Sequence, residues 1–303
     1  MKPLLILQNI SVIITESFSD GAQMVILDGK NLSKEIKNKL KDEVSKFDRN
    51  IGLAVVLVGD DPASNLYVSM KKKACTYVGL SSFSLEFSMD ILESELIKEI
   101  KILNHRDDID GILVQLPLPE HINTQKILSL IEPSKDVDGF HPYNVGQIVS
   151  GLDGFAPCTP LGIVRLLEKY RLNDLRGKNA VVVGASDIVG KPIASLLLNM
   201  NATVDICHIY TKNLKEHTLN ADILVVAVGK ENLITADMVK DGVIIFDVGI
   251  NKNSKGKIIG DVNFDEVSKK ASYITPVPGG VGPMTIAMLL ENTVKSAKNR
   301  GKK

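Results

Sequence analysis

Lys178-Asn-Ala-Val-Val-Val-Gly-Ala-Ser-Asp-Ile-Val-Gly-Lys-Pro192 decides the fold. Through Val183 it is a short, β-branched apolar run, the pattern of a strand buried on both faces. Gly184-Ala-Ser-Asp-Ile-Val-Gly190 then turns the chain, and Ile193 to Leu198 continues as an apolar helix. A strand, a glycine turn and a helix start bring backbone N–H groups and the positive end of a helix to one point, which suits a phosphate. The spacing is not G-x-G-x-x-G. By spacing alone, a generic glycine turn and a dinucleotide site stand level.

Working outward, three more apolar runs follow at βα intervals: Thr203 to Cys207, Ala221 to Val228 and Gly242 to Val248. Alternating strands and helices predict a parallel, doubly wound sheet, with ligand across the carboxyl ends of its strands. The first of these, which is the second strand of the unit, ends in His208-Ile-Tyr-Thr-Lys212, without an Asp or Glu at its tip. A missing acid favours a ribose 2′-phosphate over a free 2′-hydroxyl, and Lys191 and Lys212 can supply the charge. Thr275-Pro-Val-Pro-Gly-Gly-Val-Gly-Pro283 packs three prolines and three glycines into a stiff loop with exposed amides. It reads either as a ligand-facing loop or as a tight connection. A helix over Met284 to Val294 follows.

The first half has its own α/β pattern. Leu32, Ile36, Leu40 and Val44 recur at helical spacing, and Leu53 to Val58 reads as a buried strand. Ser81 to Phe87 alternates as a strand; Leu96, Ile100 and Leu103 mark a helix; Gln125 to Ile131 is a short one. Tyr67 and Lys71 lie four apart and so share a helical face. Ile112 to Leu116 is a strand stopped by prolines, with polar Gln115 near its carboxyl end. A buried glutamine must be hydrogen-bonded, either to ligand or to local backbone. The loop Pro133 to Pro142 holds Asp136, Asp138 and His141, and reads either as a ligand contact or as a solvated, Asx-bonded turn. Asn144 to Val149 leads into a glycine-rich break, Gly151 to Phe155. Thr159 as N-cap and Pro160 at the first helical position then predict a helix over Leu161 to Tyr170.

Composition narrows the classes. The 303 residues suit two domains, and 44% hydrophobic residues can fill real cores. Lys+Arg and Asp+Glu both total 36, so the basic excess of a nucleic-acid binder is missing. Cys75, Cys158 and Cys207 show no CxxC spacing and read as reduced thiols. The five histidines show no HxxxH or HExxH, so no metal centre is expected. No apolar run is long enough to span a membrane. Residues 1–23 lack both a signal-peptide and a transit-peptide pattern, and read as an extension, or as an upstream start with Met24 the natural first residue.

Seven segments together carry a resemblance. They are Val58-Gly59 with Pro62-Ala-Ser64, Tyr67 and Lys71; Asp110-Gly-Ile-Leu-Val-Gln-Leu-Pro-Leu-Pro119; Lys135-Asp-Val-Asp-Gly-Phe-His141; Pro157-Cys-Thr-Pro160; Val183-Gly-Ala-Ser186 with Ile188-Val-Gly190; Asp247-Val-Gly-Ile-Asn251; and Thr275 through Thr285. From about Met24 to its end, the chain resembles the bifunctional methylenetetrahydrofolate dehydrogenase/methenyltetrahydrofolate cyclohydrolase family.

The resemblance implies an α/β fold of two domains. An N-terminal α/β catalytic domain (residues 24–148 plus 284–303) would face a Rossmann-type parallel-sheet domain (149–283), with a cleft between them. It implies oxidation of 5,10-methylenetetrahydrofolate with NADP, then hydrolysis of the methenyl product to 10-formyltetrahydrofolate. Lys71 would be the key catalytic residue. Tyr67 would pack on the folate, Gln115 would tune Lys71, and Asp138 would hold the pterin edge. Val114, Leu116 and the loop residues Pro278, Gly279, Gly280 and Val281 would complete the folate site. Gly184, Ala185, Ser186, Val189, Gly190, Lys191, Thr211, Val228, Gly229 and Ile250 would contact the dinucleotide. The resemblance further implies a cytoplasmic homodimer.

Three positions depart from the pattern. Many family members carry Arg at Ala185 and Ser or Arg at Ile209, so NAD stays open beside NADP. Asn104-His-Arg106 departs from the family's Asn-x-Asp. Three other functions compete. One is a dehydrogenase with weak or absent hydrolase activity. Another is a non-catalytic folate-binding paralogue, which loss of Lys71 or Gln115 would have signalled. The third, from the residues alone, is an NAD(P)-dependent oxidoreductase acting on some other small substrate.

Overall fold

The structure, a computed structural model, describes residues 24–301. The expected extension over residues 1–23 lies outside the described residues. The first half runs β1 (Val25–Ile26), α1 (Gly29–Val44), β2 (Gly52–Val58), α2 (Pro62–Val78), β3 (Ser81–Phe87), α3 (Glu93–His105), β4 (Gly111–Val114), α4 (Thr124–Leu128) and α5 (Pro142–Val149). The second runs α6 (Cys158–Lys169), β5 (Asn179–Val183), α7 (Gly190–Asn199), β6 (Thr203–Cys207), α8 (Leu214–Leu219), β7 (Ile223–Val226), β8 (Ile244–Asp247), β9 (Asn251–Lys252), β10 (Ile258–Ile259), α9 (Phe264–Val267), β11 (Tyr273–Ile274) and α10 (Val281–Arg300).

Two parallel sheets carry this α/β architecture. The first has the order β3-β2-β4. Its central strand β2, Gly-Leu-Ala-Val-Val-Leu-Val, is buried at every position. Both of its faces are covered, which is why its sequence shows no alternation. The second sheet has the order β1-β11-β8-β7-β5-β6. All its pairings are parallel. From β5 the chain steps outward to β6, then returns to β7 on the other side of β5. That reversal opens a crevice beyond the carboxyl ends of β5 and β7. Val25 and Ile26 pair with Tyr273 and Ile274, so the second sheet begins with residues that precede the first helix.

Long helices join the halves. Helix α10 is buried along most of its length, including Met284, Ala287, Met288, Leu290, Val294 and Ala297. It lies in one apolar cluster with Leu53 and Val55 of β2, Ile163 and Leu166 of α6, and Val182 of β5. The core is therefore continuous from one half to the other. Gly162 lets α6 and α10 approach closely, because a Cβ there would stand 2.7 Å from Met284 Cβ. Polar groups on α10 fix its depth. Asn292 Nδ2 donates to the carbonyls of Val137 (2.9 Å) and Ala156 (3.1 Å), and Ser296 Oγ donates to those of Asp110 (2.6 Å) and Ser134 (2.7 Å).

The start of α6 corrects one expectation. The helix begins at Cys158 with Pro157 at the N-cap, and no side chain caps it. Thr159 lies inside the first turn, and its Oγ1 meets Thr285 Oγ1 of α10 at 2.9 Å. Pro160 is tolerated because first-turn N–H groups have no helical partner.

Candidate active site

Helix α2 positions the central pair. Asp61 starts it by accepting from Ser64 N–H (2.8 Å), and Gly79, at φ 90°, ends it. Its buried stripe is Ser64, Val68, Lys71, Ala74, Cys75 and Val78. Lys71 thus occupies a position where the helical period calls for an apolar residue. Its Nζ donates to Gln115 Oε1 at 2.9 Å. Gln115 follows β4, and its own N–H still donates to Val56 O at 2.8 Å. Its side-chain Nε2 donates to Leu116 O at 2.8 Å, which turns the amide oxygen toward Lys71.

The charges in this region oppose one another. Burial lowers the Lys71 pKa, and the nearby Asp138 carboxylate works against that shift. Burial raises the Asp138 pKa, and Lys71 opposes it in turn. Each group is pushed by desolvation toward its neutral form and by its partner toward its charged form. Burial drives the Cys158 thiol well above its ordinary value, so it stands as an uncharged neighbour. Tyr67, one turn before Lys71, is half-buried and its phenol is shifted upward by desolvation. The other acid of that loop, Asp136, is spent on structure. It accepts from the N–H groups of Phe140 and His141 and from Asn144 Nδ2.

These groups line a cleft of about 300 Å³ between the two sheets. Of the expected folate residues, Tyr67, Lys71, Val114, Gln115, Leu116, Asp138 and Val281 line it; of the expected cofactor residues, Val189 and Ile250 do. Pro278, Gly279 and Gly280 are not in the lining. They form the turn that starts α10: Gly280 is its N-cap, and Gly279 O accepts from Lys30 N–H at 2.8 Å. Cys158, Thr159 and Thr285 also line the cleft. By spacing, Cys158 reads only as a reduced thiol and Thr159 only as a helix cap. The Cys-Thr-Pro match was the only signal that they face the site.

The nucleotide half presents backbone instead. Gly184 has φ 117°, and a Cβ there would run into the Ala227 carbonyl. A Cβ on Gly190 would run into the Gly184 carbonyl. Only glycine fits at these two positions, so the turn after β5 packs closely on neighbouring backbone and leads straight into the start of α7, the kind of helix end that suits a phosphate. Ser186 Oγ accepts from Val189 N–H (3.2 Å) and Gly190 N–H (3.3 Å), at the start of α7. Lys191 is exposed and paired with Asp187 at 2.5 Å. Thr211 Oγ1 accepts from His208 N–H at 2.9 Å, closing the loop that exposes Ile209 and Tyr210. The N–H groups of Val228 and Gly229 are both taken by Asp261, at 2.7 and 3.0 Å. Away from the cleft, Asp205, Cys207 and His217 gather their polar atoms within 4.8 Å, a grouping that histidine spacing does not show. There His217 Nδ1 is already committed to Asp205 Oδ2, and burial raises the Cys207 thiol to about 11.

Comparison with known proteins points the same way. The tetrahydrofolate dehydrogenase/cyclohydrolase catalytic-domain family matches residues 27–138, and its NAD(P)-binding-domain family matches residues 157–301. A bifunctional protein FolD of Nautilia profundicola is 62% identical over 282 residues, spanning 92% of this chain and 99% of the relative. The crystal structure of the bifunctional FolD methylenetetrahydrofolate dehydrogenase/cyclohydrolase from Campylobacter jejuni superposes with a TM-score of 0.90 at 58% identity. It covers 91% of this chain and 99% of its own. A Trypanosoma brucei FolD complexed with NADP cofactor and inhibitor superposes at 0.88 with 36% identity, covering 93% and 99%. With both domain families matched in order and close relatives aligned along nearly their whole length, the chain belongs to the tetrahydrofolate dehydrogenase/cyclohydrolase family.

Proposed function

We propose that both activities of this enzyme run in the one cleft, with Lys71 as the proton-handling group. The activities are oxidation of 5,10-methylenetetrahydrofolate with NADP, and hydrolysis of the resulting 5,10-methenyl compound to 10-formyltetrahydrofolate. The observation that carries the role of Lys71 is its 2.9 Å bond to Gln115 on a buried helical stripe beside Asp138.

NADP, when bound, supplies the hydride acceptor for the first reaction. Gly184, Ala185, Ser186, Val189, Gly190, Lys191, Thr211, Val228, Gly229 and Ile250 would hold it. The methenyl product is a cation, and a permanent ammonium at the site would repel it. Desolvation lets Lys71 be neutral, which removes that repulsion. For hydrolysis, neutral Lys71 takes a proton from the water that adds to the methenyl carbon. It then gives that proton to N5 as the carbon–nitrogen bond to N5 breaks, while the hydroxyl proton of the adduct leaves to solvent as the formyl C=O forms, so one proton is released overall. Gln115 aims the lysine without adding charge. Asp138 holds the pterin edge, and Tyr67 packs on the folate. Val114, Leu116 and Val281 complete the apolar wall, behind which Pro278, Gly279 and Gly280 hold the start of α10.

Lys71→Met tests this reading, with methenyl decay followed by its absorbance. Near-normal hydrolysis would overturn it. We further propose a homodimer acting in the cytoplasm, with a folate domain over residues 24–148 and 284–303 and a nucleotide domain over 149–283, to whose sheet Val25 and Ile26 add the edge strand β1. The family resemblance supports these points. No described helix is long and apolar enough to cross a membrane. Sedimentation at the 33.0 kDa chain mass rather than twice that would remove the dimer.

A further inference from the structure

Three successive amides, those of Val228, Gly229 and Lys230, point at one carboxylate, Asp261. Its Oδ2 accepts from Val228 N–H (2.7 Å) and Gly229 N–H (3.0 Å), and its Oδ1 accepts from Lys230 N–H (2.8 Å). Oδ1 also accepts from Asn251 Nδ2 at 2.8 Å. Consecutive amides around a residue with positive φ make an anion-binding concavity, and Gly229 has φ 69°. In many proteins such a concavity receives a ligand's phosphate. Here the protein fills it with its own side chain, which is fully buried.

A second carboxylate braces the first. Asp247, at the end of β8, accepts from Gly249 N–H (2.9 Å) and from the backbone N–H groups of Asp261 (2.9 Å) and Val262 (3.0 Å). Thr275 Oγ1 accepts from Asp247 N–H at 2.8 Å. Glycines make room for both acids: a Cβ on Gly249 would enter the Asp261 carboxylate, and one on Gly260 would enter that of Asp247. Two strand-end loops are thereby tied into one body. One follows β7 and carries Val228 and Gly229; the other follows β8 and carries Ile250.

We infer that Asp261, seated on Asp247, is the positioning residue that sets both strand-end loops for the dinucleotide. The inference rests on the reading that these loops contact NADP. It also narrows what they can offer. With their amides committed to Asp261, Val228 and Gly229 can meet the cofactor only through carbonyl oxygens and side-chain surface, not as phosphate donors.

Full-length enzyme distinguishes the possibilities. NADP is titrated against wild type, Asp261→Asn and Ile250→Ala, and methenyl hydrolysis, which consumes no dinucleotide, is measured in each. An Asn oxygen replaces the carboxylate for part of the set and turns an NH2 toward the remaining donors. Asp261→Asn is expected to weaken NADP about tenfold, the equivalent of one lost bond to a charged group. Its hydrolysis rate should stay within about twofold of wild type, because Lys71 and Gln115 lie on other elements. Unchanged NADP affinity in Asp261→Asn, with weakened affinity in Ile250→Ala, overturns the positioning role alone. Unchanged affinity in Ile250→Ala overturns the contact between loop and cofactor, and the inference with it. A parallel loss of both activities in Asp261→Asn makes the residue merely structural and overturns the inference too. If Asp261→Asn does not fold, Asn251→Ala removes a single donor and is expected to weaken NADP about threefold. No change there overturns the inference.

Discussion

The two walls of the cleft are built from different materials. On the first, the chemistry sits in side chains: Lys71 and Gln115, with Asp138 and the uncharged Cys158 beside them. Hydrogen bonds hold Gln115, and desolvation pushes Lys71, Asp138 and Cys158 toward their neutral forms, against the mutual attraction of Lys71 and Asp138. On the second, Ile188, Val189, Val248 and Ile250 line the cleft, and behind them the main chain turns tightly at Gly184 and Gly190, with two buried acids bracing the strand-end loops. A proton-transfer group needs an adjustable pKa, which only a side chain provides. A dinucleotide needs close backbone approach, which side chains obstruct. The difference shows which substitutions each wall can absorb.

The largest expected break is on the first wall. Lys71→Met should lower methenyl hydrolysis by about 10²- to 10⁴-fold, the usual worth of a positioned acid–base group. NADP binding, measured by titration, should hardly change. Next comes a change that ignores the distinction. Leu290→Ala, in the core shared by both halves, should cost about 2–5 kcal/mol in denaturant unfolding. Because the core is continuous, one transition should be seen rather than two.

A smaller change sharpens the electrostatics. Hydrolysis needs neutral Lys71, so its rate should rise with pH through the lowered lysine pKa. Gln115→Glu puts a carboxylate against the ammonium, favours the charged form and raises that pKa. The rising limb of the pH–rate profile should move upward by about one unit, or about 1.4 kcal/mol. A profile that stays in place would remove Lys71 as the titrating group. On the second wall, Ala185→Arg should favour NADP over NAD by about fivefold, about 1 kcal/mol, in competitive titrations. The smallest effect is expected at the exposed Lys191–Asp187 pair. Asp187→Ala should shift stability by less than about 1 kcal/mol.

The sheets were legible because strands covered on both faces are written as unbroken apolar runs, as in β2 and β5. A spacing of four put Tyr67 and Lys71 on one helical face but gave them no role, and a strand-end position left Gln115 open between ligand and local backbone; in the fold it bonds both Lys71 and the Leu116 carbonyl. From residue pattern alone, without the family resemblance, Asp136 and Asp138 were not separable: both acids lie in one polar loop, and the folded chain turns one onto backbone amides and the other toward Lys71. Thr159 was misread as a cap because a Thr-Pro pair looks like a helix start. The proline before it had already set the boundary. Asp261 left no trace in the sequence, since the amides that it holds lie more than thirty residues upstream.

Helix α10 also has a consequence for how the molecule is made. It follows every other described element in the chain, yet it lies in the core against β2, near the start. During synthesis on the ribosome, each half can form its own sheet while the groove that α10 fills stays open. The cleft is then completed only when α10 docks. Catalytic competence should therefore arrive abruptly, when α10 is in place, rather than domain by domain.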